Sequence, residues 1–332
     1  MTAGGHVLRW GLLGTARINR MVIPPLRASA RNRLDGVASR TPRRAEDYAR
    51  EWGIPRALGS YDALLADPAI DAVYIGLPNA LHAEWAVRAV EAGKHVLCEK
   101  PLALSVAEVD AIADAASRHG RVVTEALMYR HHPQSGLVVR LVREGAIGDV
   151  RRIRGSFRFM HTRPGDARWQ REMGGGCLWD VGCYPVSFAR MVVGAEPVEV
   201  SAEQVTGPTG VDIAFAGHLR FADGVVVQMD ASFSAPFHTI MEITGTTGTL
   251  VNRNPFKPGI GATFELVDGR GRVRTIAAAD QELYSGEVED LSAAVLDGTS
   301  PRVSLADSRG NTAALCALLE SARTGQIVRV QV

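Results

Sequence analysis

The sequence predicts an α/β protein of two domains, a doubly wound parallel sheet followed by a mostly antiparallel open sheet. At 332 residues the chain is long enough for two domains. Apolar strands alternate with helices up to Glu125, as they do in parallel sheets with crossover helices. From Val150 onward, apolar residues recur instead at every second position. We therefore predict one domain over residues 1–125 and a second over residues 126–332.

Composition and charge are ordinary for a folded globular protein. Apolar residues make up 46% and charged residues 22%, and the net charge is +1, so neither nucleic acid nor an anionic membrane is an expected partner. No apolar run approaches the roughly 18 residues of a membrane span. No CxxC pair or zinc-site spacing involves the four cysteines, Cys98, Cys177, Cys183 and Cys316. We expect no bound metal and a reducing cytoplasmic location.

The first predicted strand, Val7 to Leu13, leads into a glycine turn and then a helix that Pro24-Pro25 should interrupt. Gly14 occupies the first position of a GxGxxG-like pattern, Ala16 the second and Asn19 the third. The glycine permits a tight turn, and a small second residue lets the backbone approach a pyrophosphate at the helix N-terminus. Asn19 is bulkier than the glycine that normally allows close helix–strand packing. The turn predicts dinucleotide binding.

The end of the second predicted strand, Leu34 to Ser39, indicates which dinucleotide is bound. A carboxylate at this point would favour NAD, since it would bond the ribose hydroxyl. The chain instead continues with Ser39 and Arg40, followed by Arg43 and Arg44. Guanidinium groups bind phosphate bidentately, so this end favours the 2′-phosphate of NADP. The alternative, which we prefer for Arg43, is that these arginines are solvated residues of the next helix.

Further strands and helices continue the alternation, and their order predicts the parallel sheet. The helix over Val106 to Arg118 begins at a capping box formed by Ser105 and Glu108. The predicted helices are Ala45–Trp52, Tyr61–Ala66, Ala80–Ala92 and Val106–Arg118, and the predicted strands are Asp71–Leu77, His95–Cys98 and Arg121–Thr124.

Glu99-Lys100-Pro101 follows one of these buried strands. Ligands of open α/β sheets bind at the carboxyl ends of the strands. The chain has only three lysines, Lys94, Lys100 and Lys257, among 37 basic residues. Lysine is a compact charge whose pKa can shift, whereas arginine stays protonated. Lys100 is therefore a candidate functional cation; the alternative is an ordinary charge at a strand end.

In the second domain, Ile153, Gly155 and Phe157 fall on one face of a strand, and arginines fall on the other. This alternation predicts a sheet with one covered face, while the other face is solvated or forms an oligomer interface. Further strands are predicted near Val198–Val205, Ile213–Phe221, Val225–Phe233, Thr239–Thr244 and Thr263–Val267, with closing helices at Glu282–Leu296 and Ala306–Ala322.

A second group of candidate residues begins at the glycine run from Gly174 to Gly176, which allows another group to approach a helix start. Asp180 and Tyr184 are four residues apart and share one face of that helix. Pro185 cannot donate a backbone hydrogen bond, so it should kink or start the helix. A carboxylate beside a phenol suits a site; the alternative is a helix-cap aspartate and a core tyrosine.

Together these motifs resemble the glucose–fructose oxidoreductase, inositol dehydrogenase and rhizopine catabolism (Gfo/Idh/MocA) family over essentially the whole chain. The resemblance implies a Rossmann domain for the dinucleotide and a second domain for substrate and for dimer or tetramer contacts. It implies that Lys100 reaches the nicotinamide ribose and the substrate, and that Asp180 and Tyr184 complete the catalytic set. The matching motifs are Gly11 to Ile18, Ser39-Arg40, Leu77-Pro78-Asn79 with His82, Glu99-Lys100-Pro101 and Gly174 to Tyr184.

The tyrosine at position 184, where inositol dehydrogenases carry histidine, is similar to the NADP-linked branch of the family. That branch includes sugar-nucleotide 3-ketoreductases, aldose and xylose dehydrogenases and dihydrodiol dehydrogenases. Tyr129, His161, Arg163 and Trp169 are candidate pocket residues; the alternative is that each is a packing or surface residue. The implied cofactor-binding residues are Gly14, Thr15, Ala16, Arg17, Ile18, Ser39, Arg40, Arg44, Leu77, Pro78, Asn79, His82, Glu99, Lys100 and Trp169.

The predicted function is hydride transfer between NADP(H), or alternatively NAD(H), and a carbinol or keto carbon of a sugar or sugar nucleotide. Tyr184 would exchange the proton at the substrate oxygen, while Lys100 polarises that oxygen, lowers the phenol pKa and bonds the ribose. Asp180 would orient a substrate hydroxyl or Lys100. Lys100 is the alternative proton donor. A noncatalytic dinucleotide sensor and a structural oligomer with a vestigial cofactor site are the competing functions.

Overall fold

The computed structural model describes residues 7–331 and divides the chain into two compact units. The first unit runs to Met128 and also contains Tyr284–Ser308, and the second contains Tyr129–Leu283 and the chain from Arg309 onward. The predicted division has a single boundary after residue 125, so the return of Tyr284–Ser308 to the first unit differs from it. Long-range hydrogen bonds hold this segment, including one from the Thr124 hydroxyl to the Val303 carbonyl, and local periodicity carries no sign of them.

The first unit contains a six-stranded, all-parallel sheet in the order β3-β2-β1-β4-β5-β6. The order reverses between β1 and β4, which is the point where open α/β sheets bind their ligands. The predicted doubly wound sheet is confirmed, and β3 is an additional short edge strand. The strands are β1 (Leu8–Leu13), β2 (Asn32–Ala38), β3 (Arg56–Leu58), β4 (Ala72–Ile75), β5 (His95–Glu99) and β6 (Val123–Ala126).

The helices of this unit begin and end near the predicted residues. The capping box of Ser105 and Glu108 is present, and Gly120 ends the same helix in the left-handed conformation. The helices are α1 (Asn19–Ala28), α2 (Pro42–Trp52), α3 (Tyr61–Leu65), α4 (His82–Glu91), α5 (Val106–His119) and α8 (Ser285–Leu296).

The predicted interruption of α1 is wrong, because the helix continues through Pro24 and Pro25. The two prolines cannot donate to the carbonyls four residues earlier, which belong to Arg20 and Met21. Both of those residues are exposed, so water can bond their carbonyls and the helix tolerates the missing donors.

The second unit contains a nine-stranded sheet in the order β14-β13-β12-β11-β7-β10-β9-β8-β15. It is antiparallel except for the pairing of β7 with β10, which confirms a mostly antiparallel sheet. The short strands β12, β14 and β15 were not predicted. The strands are β7 (Val150–Met160), β8 (Pro197–Thr206), β9 (Asp212–Phe221), β10 (Val226–Ser232), β11 (Ser234–Gly245), β12 (Gly248–Asn252), β13 (Thr263–Asp268), β14 (Val273–Ala277) and β15 (Val328–Arg329).

One face of this sheet is covered, as predicted. Ile153 and Phe157 of β7 are buried, whereas Arg152 and Arg154 are exposed. A Cβ at Gly155 would lie 2.7 Å from the Pro185 Cβ, so glycine at this position lets a helix approach the sheet closely. The remaining helices are α6 (Pro133–Arg143), α7 (Cys183–Val193) and α9 (Leu305–Thr324). Within residues 7–331, no helix is both long and apolar enough to cross a membrane.

Candidate active site

The glycine turn after β1 has the tight geometry that its sequence predicts. Gly14 has φ +95°, and a Cβ there would approach the Leu77 Cδ2 to 2.9 Å, so only glycine fits without distortion. Its N–H donates to the Ala38 carbonyl over 3.0 Å. Asn19 is fully buried, and its Nδ2 donates to the Gly14 carbonyl over 2.9 Å. The third position of the pattern therefore braces the turn with a hydrogen bond instead of providing close packing.

One predicted arginine contacts this turn. The Arg44 Nε, on the first turn of α2, donates to the Thr15 Oγ1 over 2.7 Å. Ser39 is buried and Arg40 is exposed at the end of β2. Arg43 has a side chain that is 92% exposed, in agreement with the solvated interpretation. A guanidinium beside the turn suits a phosphate.

His82 connects two segments at the carboxyl edge of the sheet. The ring is fully buried. Its Nδ1 lies 2.7 Å from the Pro101 carbonyl, and its Nε2 lies 2.8 Å from the Leu77 carbonyl. Burial lowers the pKa of His82. Both ring nitrogens face backbone carbonyls, and the neutral ring can donate to only one of them. Any contribution of His82 to cofactor binding therefore passes through the segments of Leu77 and Pro101.

Buried and half-buried side chains hold the backbone around Lys100. The Lys100 N–H donates to the Glu99 Oε2 over 3.3 Å, and the hydroxyl of the buried Tyr74 donates to the Glu99 Oε1. Pro101 has no N–H, and the N–H of Leu102 donates to the Glu125 Oε1 over 3.0 Å. Burial raises the pKa of Tyr74 well above its ordinary value, and the nearby Glu99 carboxylate raises it further. The lysine thus follows a segment whose backbone has fixed hydrogen-bond partners.

Lys94 has a structural role that distinguishes it from Lys100. It is buried, and its Nζ donates to the carbonyls of Asp67 and Ile70 over 2.7 and 2.8 Å. Burial lowers the pKa of Lys94, while Asp67 and Asp71 oppose this effect. Scarcity of lysine alone therefore does not identify a functional residue in this chain.

The carboxyl edge of the first sheet fits a dinucleotide. Gly14 has a positive φ and no Cβ at the turn, and Arg44 supplies a cation beside it. The segment from Leu77 to Asn79 follows β4, and Lys100 follows β5. Within this unit, the structure brings the predicted cofactor-binding residues to the ends of β1, β2, β4 and β5.

In the second unit, the glycine run is approached by groups of the chain itself. A Cβ at Gly175 would lie 2.5 Å from the Arg168 carbonyl oxygen, and one at Gly176 would lie 2.0 Å from the Asp212 Oδ1. The Asp212 Oδ2 accepts the Leu178 N–H over 2.7 Å. Asp212 is the aspartate that caps this segment, and it has no local sequence signal because it lies 34 residues from Leu178.

The segment that carries Asp180 is a π-helical turn, Leu178–Gly182, followed directly by α7. The Cys183 N–H bonds the Leu178 carbonyl, five residues earlier. Pro185 then lies on the first turn of α7, where a missing N–H is tolerated. The predicted start of a helix at Pro185 is therefore confirmed to within two residues. The turn that precedes this helix is a π turn, which frequently marks a functional site.

Asp180 lies in an ion-pair network that sequence reasoning missed. Its side chain is 9% exposed, and its Oδ2 accepts the Arg168 Nε–H over 2.8 Å. The Arg168 Nη1 donates to the Asp166 Oδ1 over 3.2 Å. The Asp180 carboxylate raises the pKa of Arg168 strongly. Asp180 is thus held by a guanidinium and does not act as the helix cap.

Tyr184 lies among aromatic rings on the covered face of the second sheet. Its ring centroid is 5.3 Å from that of Phe157, 5.6 Å from Phe256 and 5.8 Å from Tyr129. The Tyr129 hydroxyl donates to the Ser187 Oγ over 2.9 Å. Tyr184 is 4% exposed, so its ring is packed as a core ring while its phenol supplies a titratable oxygen.

Trp169 lies in the second unit, in a short 3-10 turn from Ala167 to Trp169. Its ring stacks on His161 with centroids 4.9 Å apart. Its indole N–H donates to the Arg163 carbonyl over 3.0 Å. Its predicted contact with the cofactor stays a prediction.

The family models agree with this division of the residues. A model described as an oxidoreductase family with an NAD-binding Rossmann fold matches residues 8–127. A model described as the GFO/IDH/MocA C-terminal domain matches residues 137–251. The chain belongs to the GFO/IDH/MocA oxidoreductase family. Membership confirms the resemblance of the motifs and the prediction that the protein is an oxidoreductase.

Members of the GFO/IDH/MocA family resemble the chain over nearly its full length. An uncharacterized oxidoreductase of Rhizobium meliloti is 40% identical over 96% of this chain and 98% of its own. D-xylose 1-dehydrogenase (NADP(+)) 2 of Haloferax volcanii is 38% identical over 97% and 100%. The crystal structure of a 3-ketoreductase from Actinomadura kijaniata with NADP and TDP-benzene has a TM-score of 0.90 at 30% identity, covering 95% of this chain and 98% of that one.

Proposed function

We propose that this GFO/IDH/MocA oxidoreductase transfers a hydride between NADP(H) and a carbinol or keto carbon of a sugar or sugar derivative. The observation that carries the proposal is the position of Asp180 and Tyr184, a buried carboxylate and a phenol at the start of one helix. A carboxylate accepts hydrogen bonds from sugar hydroxyls, and a phenol can exchange a proton. The xylose dehydrogenase and the 3-ketoreductase support the substrate class by their names.

Support for NADP over NAD comes from the arginines of the first unit. Arg44 contacts the glycine turn through Thr15, and no carboxylate follows β2 before Glu46. The xylose dehydrogenase is named for NADP, and the 3-ketoreductase was crystallised with NADP. The residues proposed to hold the cofactor are Gly14, Thr15, Ala16, Arg17, Ile18, Ser39, Arg40, Arg44, Leu77, Pro78, Asn79, His82, Glu99, Lys100 and Trp169.

The nicotinamide supplies or accepts the hydride when bound, and the protein must handle one proton. We assign that proton to the Tyr184 hydroxyl, acting at the substrate oxygen. A phenol with an ordinary pKa near 10 is a weak base, and a nearby ammonium lowers that value. We assign this electrostatic role, and polarisation of the substrate oxygen, to Lys100. Asp180, ionised beside Arg168, accepts a hydrogen bond from a substrate hydroxyl.

The test combines cofactor binding with turnover by variants. NADPH should bind more tightly than NADH when binding is followed by the quenching of tryptophan fluorescence. A panel of aldoses and keto sugars should contain at least one substrate. Tyr184→Phe and Lys100→Ala should each lower kcat by about 100-fold or more, the usual scale of lost acid–base catalysis. If both variants keep nearly the parent kcat, the assignment is refuted. Tight NADPH binding without turnover of any sugar would favour a sensor.

We further propose a homodimer or homotetramer in the cytoplasm. The sheet face opposite the helices includes exposed apolar side chains, Met160 at 56% and Val226 at 38% exposure, which supports an oligomer contact there. All four cysteines are thiols in the structure, which supports a reducing compartment. Light scattering of the parent protein and of Met160→Arg tests the contact, since an introduced charge should dissociate the oligomer.

A further inference from the structure

A buried tyrosine of the first sheet is linked to the backbone of Lys100. Tyr74 is fully buried in β4, and its hydroxyl donates to the Glu99 Oε1 at the end of β5. The two strands are parallel neighbours, so their carboxyl ends lie side by side. The other oxygen of the same carboxylate, Oε2, accepts the Lys100 N–H over 3.3 Å. One carboxylate therefore joins a phenol of the core to the segment that carries Lys100.

The surroundings of the phenol fix the direction of its hydrogen bond. Burial raises the pKa of Tyr74 well above its ordinary value, and the carboxylates of Glu99 and Glu287 and the phenol of Tyr284 raise it further. All four groups belong to the first unit. Tyr74 hence keeps its proton at neutral and mildly alkaline pH and acts as a constant donor to Glu99.

The rest of this segment is held by other side chains. The Pro101 carbonyl lies 2.7 Å from the His82 Nδ1, and the Leu102 N–H donates to the Glu125 Oε1 over 3.0 Å. These two contacts hold the chain after Lys100, whereas the Glu99 carboxylate holds the N–H of Lys100 itself. Loss of the phenol donor would loosen that carboxylate, and the effect would reach Lys100 through the backbone.

We propose that Tyr74 is a positioning residue for the proposed reaction, which acts through Glu99 to hold Lys100 where it meets cofactor and substrate. The inference rests on the proposed function, in which Lys100 polarises the substrate oxygen, and extends it to a residue of the core. A displacement of about 1 Å can cost about 100-fold in rate, so one hydrogen bond behind the site is enough to affect turnover. The alternative role of Tyr74 is to stabilise the sheet alone.

The test is a double-mutant cycle on kcat with the best sugar of the panel. The proteins are the parent, Tyr74→Phe, Lys100→Ala and the variant that carries both changes. Tyr74→Phe removes only the hydroxyl and keeps the buried ring. The matched control is Thr124→Val on β6, which removes another buried hydroxyl of the first unit, one that donates to the Val303 carbonyl over 2.8 Å.

Tyr74→Phe should lower the parent's kcat by about 10-fold, because Lys100 is displaced. Thr124→Val should change kcat by less than about 2-fold, although it also removes a buried hydrogen bond and lowers the melting temperature. In the Lys100→Ala background, removal of the Tyr74 hydroxyl should change kcat by less than about 2-fold, because the group that it positions is already absent. A residue that only stabilises the sheet would lower kcat by the same factor in both backgrounds.

Glu99→Gln provides a second route to the same result if Tyr74→Phe does not fold. The glutamine has one acceptor oxygen in place of two, so it cannot hold both the phenol and the Lys100 N–H as the carboxylate does. It should lower the parent's kcat by about 10-fold and, like Tyr74→Phe, have almost no effect in the Lys100→Ala background.

An equal loss of kcat in the two backgrounds, or an unchanged kcat in Tyr74→Phe, would refute the inference while leaving the proposed function in place. A Lys100→Ala variant with the parent's kcat would refute the role of Lys100 and the inference with it. A parent enzyme that turns over no sugar would refute the proposed function as a whole. The parent and Lys100→Ala measurements therefore separate these failures before the Tyr74 variants are assayed.

Discussion

His95 makes the stability of the first unit depend on pH. It begins β5, the strand that ends at Glu99. Its Nδ1 accepts the Val122 N–H over 3.0 Å, so the folded ring is neutral with its proton on Nε2. Burial and, to a smaller extent, Arg121 lower the pKa of His95 to about 4, and Asp71 opposes the shift.

The sign and the size of the effect follow from this shift. The unfolded chain protonates His95 near pH 6.5, whereas the folded chain resists protonation down to about pH 4. Between these values the unfolded state binds more protons, so the stabilisation is complete above pH 6.5 and is lost as the pH falls. At about 1.36 kcal/mol per pKa unit the whole window corresponds to about 3 kcal/mol. The ring is partly exposed, so solvent screening reduces this to about 1–2 kcal/mol.

The perturbation is His95→Asn, whose amide oxygen can accept the Val122 N–H without titrating. Urea unfolding of the full chain is measured at pH 7 and pH 5. The range from pH 7 to pH 5 covers a little more than half of this window, so the parent should lose about 0.5–1 kcal/mol more free energy of unfolding than the variant. His119→Asn, at an exposed position of α5, should behave like the parent. If His95→Asn shows the parent's full pH dependence, the neutral buried histidine is not its source.

Three further changes test other parts of the structure. Gly176→Ala should destabilise the protein by about 3 kcal/mol, because a Cβ would lie 2.0 Å from the Asp212 Oδ1. Thermal unfolding measures this, and Gly165→Ala, which also has a positive φ (+72° against +117° at Gly176) but lies in open space, should cost only about 1 kcal/mol. Arg44→Ala should weaken NADPH binding about 10-fold or more and leave NADH binding unchanged in fluorescence titrations; equal losses for both cofactors would contradict the 2′-phosphate assignment. Lys94→Met should lower the free energy of unfolding in urea by about 1–3 kcal/mol, because two loop carbonyls lose their buried donor. A variant as stable as the parent would contradict that role.

Local signals in the sequence predicted most elements of the fold. The capping box at Ser105 and the alternation along β7 both depend on residues within a few positions of each other. The tight turn at Gly14 belongs to this group, since its φ of +95° is a property of one residue. Such features can be predicted because the interacting groups are neighbours in the chain.

Partnerships between distant residues could not be predicted in this way. The Tyr74 hydroxyl reaches Glu99 only because β4 and β5 pair side by side. Arg168 reaches Asp180 because the glycine run brings the chain back over a π turn. Each of these side chains has an ordinary alternative role, so its type alone does not identify its partner.

The sequence by itself determined the family, the two sheets and the candidate catalytic residues Lys100, Asp180 and Tyr184, because these depend on residue types at short spacing. Only the tertiary structure decided how the carboxylates are used: Glu99 bonds Tyr74, Asp180 bonds Arg168, and Asp212 caps the segment that carries Asp180. The physical reason is that a buried carboxylate is stable only with donors around it, and the fold selects those donors from distant parts of the chain.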